Sequence, residues 1–375
     1  MKNKALAFLP LFLAGFTNNI NPPATSSSKT TIEMQKDGPY VIYRKKNVVV
    51  KYIVGSDGID KLQSDSLPVS KKNELTLNVS TDEPDKKFTV RLKAKLVNEK
   101  HEFDKAEKLL VISDIEGNFA AFRKLLQKSA VIDSNFNWTF GNGHLVLTGD
   151  FFDRGNQVSE VLWLIYSLED KAKAAGGYVH FILGNHEIMN LSGDLRYLHS
   201  KYVQNTILLK EKYVDGMYGS FSELGRWLRT KNIVEKIGSI LFLHAGISPE
   251  INRMDITLQQ LNDLTRPHYP DSNSIYKNKN IDTIFSGAGP FWYRGYYIPK
   301  SGNITGQIDS TLKKFNVKQI ATGHTVIGDT ITVLEKGKLI NVDVHHASGH
   351  SEALLIEGNK YYRINSFGVK KLLMQ

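Results

Sequence analysis

The chain has 375 residues, of which 41% are hydrophobic and 23% charged, and this ordinary globular composition excludes a wholly disordered or fibrous protein. Its length suits one large α/β domain plus a smaller module, because single hydrophobic cores rarely grow beyond roughly 250–300 residues. The formal net charge is +10, but Lys and Arg are spread along the chain without an arginine-rich block or an aromatic RNA-binding motif. The charge therefore favours anionic substrates in general and disfavours specific nucleic-acid binding.

The first 20 residues have the pattern of an export signal. Lys2 and Lys4 precede the apolar run ALAFLPLFLAGF, which is too short to span a bilayer. The chain contains no Cys, which excludes a lipoprotein anchor and disulfides, and no clear cleavage site stands near Ala14 and Gly15. We expect residues 1–20 to be a signal peptide of a periplasmic or secreted protein, with an uncleaved N-terminal anchor or an ordinary buried segment as alternatives. No other membrane contact is expected.

Residues 21–37, which follow, are expected to form a linker because they are rich in Asn, Pro, Ser and Thr. Residues 38–105 have the pattern of a small all-β module. The segments YVIYRKKNVVVKYIV, LTLNVS and KFTVRLKAKLV are rich in β-branched and aromatic residues and are separated by Gly, Asp, Ser and Pro. No cluster of titratable side chains of the catalytic kind lies in this module, so we expect a packing or docking role.

Residues 106–375 alternate continuous apolar strands with helices, which is typical of an α/β sheet buried on both faces. Polar residues stand where these strands end. LLVIS leads to Asp114, HLVLTG to Asp150, and YVHFIL to the run 184–187, while ILFL, QIAT and KLINVDV deliver His244, His324 and Asp343. Ligands gather at the carboxyl ends of strands in open α/β sheets, so we expect a site at this edge.

Five short strings carry these polar residues: SDIEGN (113–118), TGDFFDRGN (148–156), LGNHE (183–187), LHAGIS (243–248) and TGHT (322–325). Carboxylate, amide and imidazole groups suit hard or borderline divalent metal ions, and a bridged pair of ions needs a shared carboxylate. Each string alone is a weak signal. All five in this order, each at a strand end, predict a metal site.

The five strings resemble the calcineurin-like metallophosphoesterase superfamily, in its phosphoprotein-phosphatase branch. MNLSGDLRY (189–197), LGRWLRT (224–230) and GPFWYRG (289–295) further resemble the bacterial Shewanella-like phosphatases. This resemblance, over about 109–345, implies a sandwich of two mixed β-sheets flanked by helices. It also implies hydrolysis of phosphate monoesters, with serine/threonine or tyrosine phosphoproteins, or small phosphate esters, as substrates. The implied chemistry is in-line attack by a hydroxide that bridges two divalent ions, with Mn expected and Fe, Zn, Mg or Ca as alternatives.

The resemblance also implies a role for individual residues. The implied metal ligands, with Asp150 shared by both ions, are Asp114, Glu116, Asp150, Asn185, His244 and His324. His186 is the implied general acid, held in orientation by Asp153. Arg154 and Arg294 are the implied phosphate clamps, a task that suits a planar, permanently charged guanidinium. The alternative functions are a nucleotide or phosphodiester hydrolase and a phosphate-binding protein without catalysis.

Glu116 departs from the family pattern, in which a His occupies this position. As a ligand, Glu116 would make the first metal position more anionic and favour Mn, Mg or Ca. If Glu116 is not a ligand, one ion would bind weakly, and the enzyme would be mononuclear or would be activated by added metal. A third interpretation is a pseudoenzyme. His345 or His346 could supply the missing imidazole, or both could be structural, and only one of two adjacent strand residues can face the site.

Aromatic residues are frequent between the third and fourth strings. We expect most of them to belong to the core, and some to wall the groove beside the metals, where they would select a flat leaving group such as phosphotyrosine. The candidates are Tyr197, Tyr202, Tyr213, Tyr218 and Trp227.

Overall fold

A computed structural model of the chain describes residues 34–56, 58–271, 276–298 and 303–375. The expected signal or anchor segment, residues 1–20, lies outside these ranges, as does the linker up to residue 33, so export stays a prediction. Residues 33–375 form one compact unit. None of the helices in the described ranges has the length and apolar character needed to cross a bilayer.

The strands of the described residues are β1 Met34–Arg44, β2 Asn47–Ser56, β3 Ile59–Pro68, β4 Thr76–Ser80, β5 Lys87–Arg91, β6 Glu102–Phe103, β7 Lys108–Ile112, β8 His144–Leu147, β9 Tyr178–Phe181, β10 Val234–Ile237, β11 Ile240–Leu243, β12 Gln319–Thr322, β13 Thr332–Leu334, β14 Leu339–Asn341, β15 Glu352–Glu357, β16 Lys360–Asn365 and β17 Lys370–Met374.

The α-helices of the same residues are α1 Phe119–Lys128, α2 Val158–Ala174, α3 Asn185–Ser192, α4 Ser200–Leu209, α5 Glu223–Leu228, α6 Pro249–Arg253, α7 Leu258–Thr265, α8 Lys279–Phe285 and α9 Ile304–Phe315. Short 3-10 helices span Val69–Glu74, Arg266–His268, Glu335–Gly337 and His346–Ser348, and a π-helical turn spans Tyr213–Met217.

Two six-stranded sheets, with strand orders β17-β16-β15-β7-β8-β9 and β13-β14-β12-β11-β10-β6, form the body of the protein. Both are mixed. In the first, β7, β8 and β9 are parallel, whereas β15, β16 and β17 join by antiparallel pairing. In the second, β11, β12 and β14 are parallel, whereas β10 and β13 pair antiparallel to their neighbours β11 and β14. The predicted fold of two mixed sheets with helices is confirmed.

Strand β7 of the first sheet is buried on both faces, and its side chains alternate between two clusters of the core. Leu109 and Val111 of β7 belong to a cluster that also contains Phe242 of β11 and Ile340 of β14, and this cluster fills the space between the two sheets. Leu110 of the same strand joins a larger core that includes residues of α1 and α2. The continuous apolar pattern of LLVIS follows from this double burial.

The N-terminal part is an antiparallel sheet of three strands, β1-β2-β3, followed by the hairpin β4-β5, so the predicted all-β character is confirmed. Strand β1 begins at Met34, within the segment expected to be a linker. Asp37 is buried there and accepts a hydrogen bond from the Tyr40 hydroxyl at 2.9 Å. Trp163 Nε1 of α2 donates to the Pro39 carbonyl at 2.7 Å, and this bond ties the sheet to the larger core.

Candidate active site

The polar residues of the five strings meet at one edge of the two sheets. Asp114 follows β7, Asp150 follows β8 and Asn185 begins α3 after β9, and these three strands are parallel neighbours. His244 and His324 follow β11 and β12, which are parallel neighbours in the other sheet. The carboxyl ends of both parallel sets therefore supply the side chains, as the sequence predicted.

The backbone at this edge is strained at several non-glycine residues. Positive φ angles occur at Asp114 (52°), Glu116 (49°), Asp150 (61°), Asp153 (69°), Arg154 (54°) and His324 (66°). Such left-handed conformations cost about 1–3 kcal/mol each and persist only where surrounding contacts enforce them. Gly149 and Gly184 show why small residues flank the site: a Cβ on Gly149 would lie 2.6 Å from the Gly184 backbone.

Glu187 supplies some of the contacts that hold this strained backbone in place, a role that the sequence did not assign to it. Its fully buried carboxylate accepts hydrogen bonds from the backbone N–H groups of Asp150 at 2.8 Å, Phe151 at 2.7 Å and Gly184 at 2.7 Å. Burial, with the nearby charge of Asp150, raises the pKa of Glu187 to about 7. Glu187 thus joins the second and third strings, and its position within LGNHE was the available signal.

Asp150 lies at the centre of the site. Its Oδ2 is 3.1 Å from His244 Nε2, and its Oδ1 accepts a hydrogen bond from the His186 backbone N–H at 2.9 Å. His244 Nε2 is also 2.9 Å from Asn185 Oδ1 and 3.1 Å from His324 Nδ1. These distances place the donor atoms of four predicted ligands around one point.

Two groups of side chains have donor atoms close enough to share a metal ion, within 4.8 Å of one another. One group is Asp150, His244 and His324; the other is Glu116, Asp150 and His186. Asp150 belongs to both groups, as expected for a carboxylate shared by two ions. His186, predicted as the general acid, lies within the second group.

The charges of the site fit a divalent cation. Burial, together with the charge of Asp150, raises the pKa of Asp114 to about 6, and burial beside Asp114 raises the pKa of Asp343 well above its usual range. Burial opposes ionisation of His244, but Asp150 and Asp114 outweigh it and raise the His244 pKa to about 10. Burial, with the charge of His244, lowers the pKa of His324 to about 2, and its Nδ1 faces His244. A divalent ion would replace the proton on His244, neutralise the carboxylates and bind the neutral imidazole of His324.

His186 and Asp153 form a buried pair next to Asp150. His186 Nδ1 lies 2.6 Å from Asp153 Oδ2. Burial lowers the pKa of His186, but the carboxylates of Asp150 and Asp153 together raise it above its ordinary value. The arrangement favours a protonated imidazole whose Nε2 remains available on the other side of the ring.

The two predicted phosphate clamps line the same cavity of about 460 Å³ as Asp114 and Asp150. Arg154 forms an ion pair with Glu116, and its Nη1 is 3.4 Å from His186 Nε2. Arg294 Nη1 donates to the His324 carbonyl at 2.7 Å and to Thr325 Oγ1 at 3.2 Å. The pairing of Glu116 with Arg154 was not predicted from the sequence.

Further residues of the cavity were assigned no role or left open by the sequence. Asp343, delivered by the last strand of the parallel set, is 3% exposed and lines the cavity. His345 and His346 line it too, with His345 exposed and His346 buried. Burial lowers the pKa of His346 to about 4.

One of the predicted aromatic residues lies at the mouth of the site. Tyr197 is 44% exposed, and the centroid of its ring is 5.2 Å from that of His186. Arg154 packs over the same ring and donates its backbone N–H to the Tyr197 carbonyl at 3.0 Å. The other candidates are buried core residues: Tyr202, Tyr213, Tyr218 and Trp227.

Comparison with known proteins agrees with this geometry. Residues 107–328 match the family described as calcineurin-like phosphoesterase. The chain belongs to this family. The phosphoesterase is 35% identical to Shewanella-like protein phosphatase 2 of Arabidopsis thaliana, over 67% of this chain and 74% of that protein. The resemblance seen in the sequence is therefore confirmed, and the protein is a hydrolase.

Two further similarities bear on the substrate. The solved structure of a cold-active protein-tyrosine phosphatase from a psychrophilic Shewanella species has a TM-score of 0.81 and 36% identity, covering 90% of this phosphoesterase and 99% of that chain. A symmetrical bis(5'-nucleosyl)-tetraphosphatase of Buchnera aphidicola subsp. Acyrthosiphon pisum is 34% identical over 46% of this phosphoesterase and 57% of that protein.

Proposed function

We propose that this phosphoesterase is a protein phosphatase that hydrolyses phosphate monoesters with the help of two divalent ions. The observation that carries the proposal is the position of Asp150. It belongs to both candidate metal groups, and it lies beside an imidazole held by a second carboxylate. A shared carboxylate supports a pair of ions, and the adjacent imidazole supports proton transfer to a leaving group.

The residues divide into two metal positions. Asp150, Asn185, His244 and His324 would hold one ion, and Asp114, Asp150 and Glu116 would hold the other. When bound, such ions lower the pKa of a water and neutralise charge on a phosphoryl group. We propose Mn²⁺ as the metal, because the ligand set combines imidazoles with several carboxylates. Carboxylate oxygens favour hard ions, whereas a set richer in nitrogen donors would favour softer ions.

The arginines would orient the substrate. Arg294 is held by the His324 carbonyl and Thr325, and so its guanidinium is fixed at the wall of the cavity. Arg154 is half-exposed, and its guanidinium would be free to bind an incoming phosphate once Glu116 binds a metal ion. Two guanidinium groups match a phosphate monoester dianion in both charge and hydrogen-bond geometry.

His186 would protonate the leaving oxygen. Asp153 accepts a hydrogen bond from Nδ1–H, so the proton on Nε2 is the one available for transfer. The Asp153 carboxylate raises the pKa of His186 and so favours the protonated imidazole, which a general acid requires. The exposed Tyr197 ring beside His186 supports an aromatic leaving group, and the proposed substrate class therefore includes phosphotyrosine along with phosphoserine and phosphothreonine.

The leader supports a further proposal about where the enzyme acts. Lys2, Lys4 and the apolar run after them are typical of an export signal, so we propose a periplasmic or secreted enzyme, with a retained N-terminal anchor as the alternative. Cell fractionation with detection of the chain's C-terminus tests this. Recovery of the full-length chain in the cytosol would refute export.

Turnover of a substrate panel tests the proposed function. We expect phosphotyrosine, phosphoserine and phosphothreonine peptides to be hydrolysed with Mn²⁺, and a diadenosine tetraphosphate to be a poor substrate. Preference for the dinucleotide would instead favour a nucleotide hydrolase, the activity named for the Buchnera relative. His186→Asn should lose activity on peptides, whereas His350→Asn, which changes an exposed histidine, should not. Equal loss in both variants would contradict the role of His186.

A further inference from the structure

The first metal position of this phosphoesterase lacks an imidazole among its expected ligands. Asp114, Asp150 and Glu116 are all carboxylates, whereas the other position contains His244 and His324. Glu116 also pairs with Arg154, so its charge is divided between a metal ion and a guanidinium. If a neutral nitrogen donor completed the ligands of the first metal position, the ion there would depend less on Glu116.

His346 is an unexplained imidazole at the same cavity. It is 3% exposed, its ring interacts with the Ser113 backbone, and at least one ring nitrogen has no hydrogen-bond partner. A buried ring nitrogen without a partner is costly, and buried polar groups of this kind call for an explanation such as an ion. The preceding His345, by contrast, is exposed.

Local contacts attach His346 to the loop that carries the first metal position. Asn118 Nδ2 donates to the His346 carbonyl at 3.4 Å, and Asn118 is the last residue of the string that carries Asp114 and Glu116 and caps α1. The His346 N–H donates to the Val344 carbonyl at 2.8 Å, which forms a tight turn after Asp343. Asp114, Glu116, Asp343 and His346 all line one cavity.

We propose that His346 is a ligand of the first metal position and supplies the imidazole that Glu116 does not. The ring lies against the backbone of Ser113, the residue before Asp114, and a histidine that binds a metal through one ring nitrogen commonly donates its other N–H to a backbone carbonyl. This inference rests on the proposed function, because it assumes that two ions bind. It goes further by assigning a ligand outside the five strings.

Metal binding to the purified full-length protein tests the assignment, with Mn²⁺ alone as the probe. Calorimetry and metal analysis should show two ions per chain for the wild type. His346→Gln should bind one ion normally and the other more weakly by over about 100-fold, beyond the effect usual for residues that only support a ligand. His345→Gln is the matched control, and it should bind both ions as the wild type does.

A second pair of variants separates ligation from packing. His346→Met places an apolar side chain in the buried position, so the metal-free protein should melt at the same or a higher temperature, while the stabilisation on adding Mn²⁺ should shrink. In a Glu116→His background, loss of His346 should no longer weaken the first ion, because an imidazole is then present.

The outcomes are distinct. Two ions bound at wild-type affinity by His346→Gln would overturn the assignment, as would a loss that Glu116→His does not restore. If the wild type itself binds no Mn²⁺, the proposed function fails and this inference fails with it. If the wild type binds two ions and every His346 variant does the same, this inference alone fails.

Discussion

Replacing Asp153 by Asn tests the proton-transfer step most sharply. The Asp153 carboxylate is buried, lies 2.6 Å from His186 Nδ1 and contributes to the raised His186 pKa. Asn would preserve the size of the side chain but remove the charge that favours the imidazolium. General acid catalysis contributes about 10²–10⁴ in rate, so loss of the orienting charge should reduce kcat on a phosphoserine peptide about 10²-fold, or about 2.7 kcal/mol.

The dependence on leaving group makes this prediction specific. A nitrophenolate departs without a proton, so the same variant should lose less than about 5-fold in kcat on nitrophenyl phosphate, since only acid catalysis is removed. Asp263→Asn changes an exposed carboxylate and serves as the control. An equal loss on both substrates, with metal content unchanged, would refute the reasoning, because His186 would then not act on the leaving oxygen.

Three further predictions concern binding and stability. Arg294→Lys should raise KM for phosphopeptides about 10-fold with little change in bound metal, because an ammonium cannot replace a bidentate guanidinium. Burial, with the charge of Asp37, raises the pKa of Glu160 from 4.5 to about 8, so the folded protein holds a proton that the unfolded chain has released. Stability should therefore fall as pH rises through that window, by up to about 1.4 kcal/mol per pH unit, and chemical denaturation of Glu160→Gln should show a flatter profile. Trp163→Phe leaves the Pro39 carbonyl without its donor and should lower the free energy of unfolding by about 1–3 kcal/mol. An unchanged free energy of unfolding would mean that this hydrogen bond does not stabilise the attachment of the N-terminal sheet.

The positions of the polar residues at strand ends were predictable, because the apolar pattern of the strand just before each of them determines where it lies. A continuous apolar strand must be buried on both faces, and its next polar residue then falls at the sheet edge. Asp114, Asp150 and His244 follow this rule, and their sequence strings identify the family. The all-β character of the N-terminal part was likewise visible from its β-branched segments.

Contacts between distant segments were not predictable from the same patterns. The ion pair of Glu116 with Arg154 depends on how two strained loops meet, and no spacing rule encodes it. Glu187 lies within a recognised string, yet its bonds to the Asp150 and Phe151 backbone appear only in three dimensions. The aromatic candidates also looked alike in the sequence, and folding buries all of them except Tyr197.

The central claim is that this chain is a metal-dependent phosphatase with two ions around Asp150. It is tested most directly by removing all metal with a chelator and following phosphotyrosine-peptide hydrolysis during titration with Mn²⁺, while the fold is monitored by circular dichroism. We predict no turnover in the stripped protein and full turnover at two equivalents of Mn²⁺. Unchanged turnover after complete removal of metal, or none from the folded protein at any Mn²⁺ concentration, would contradict the account.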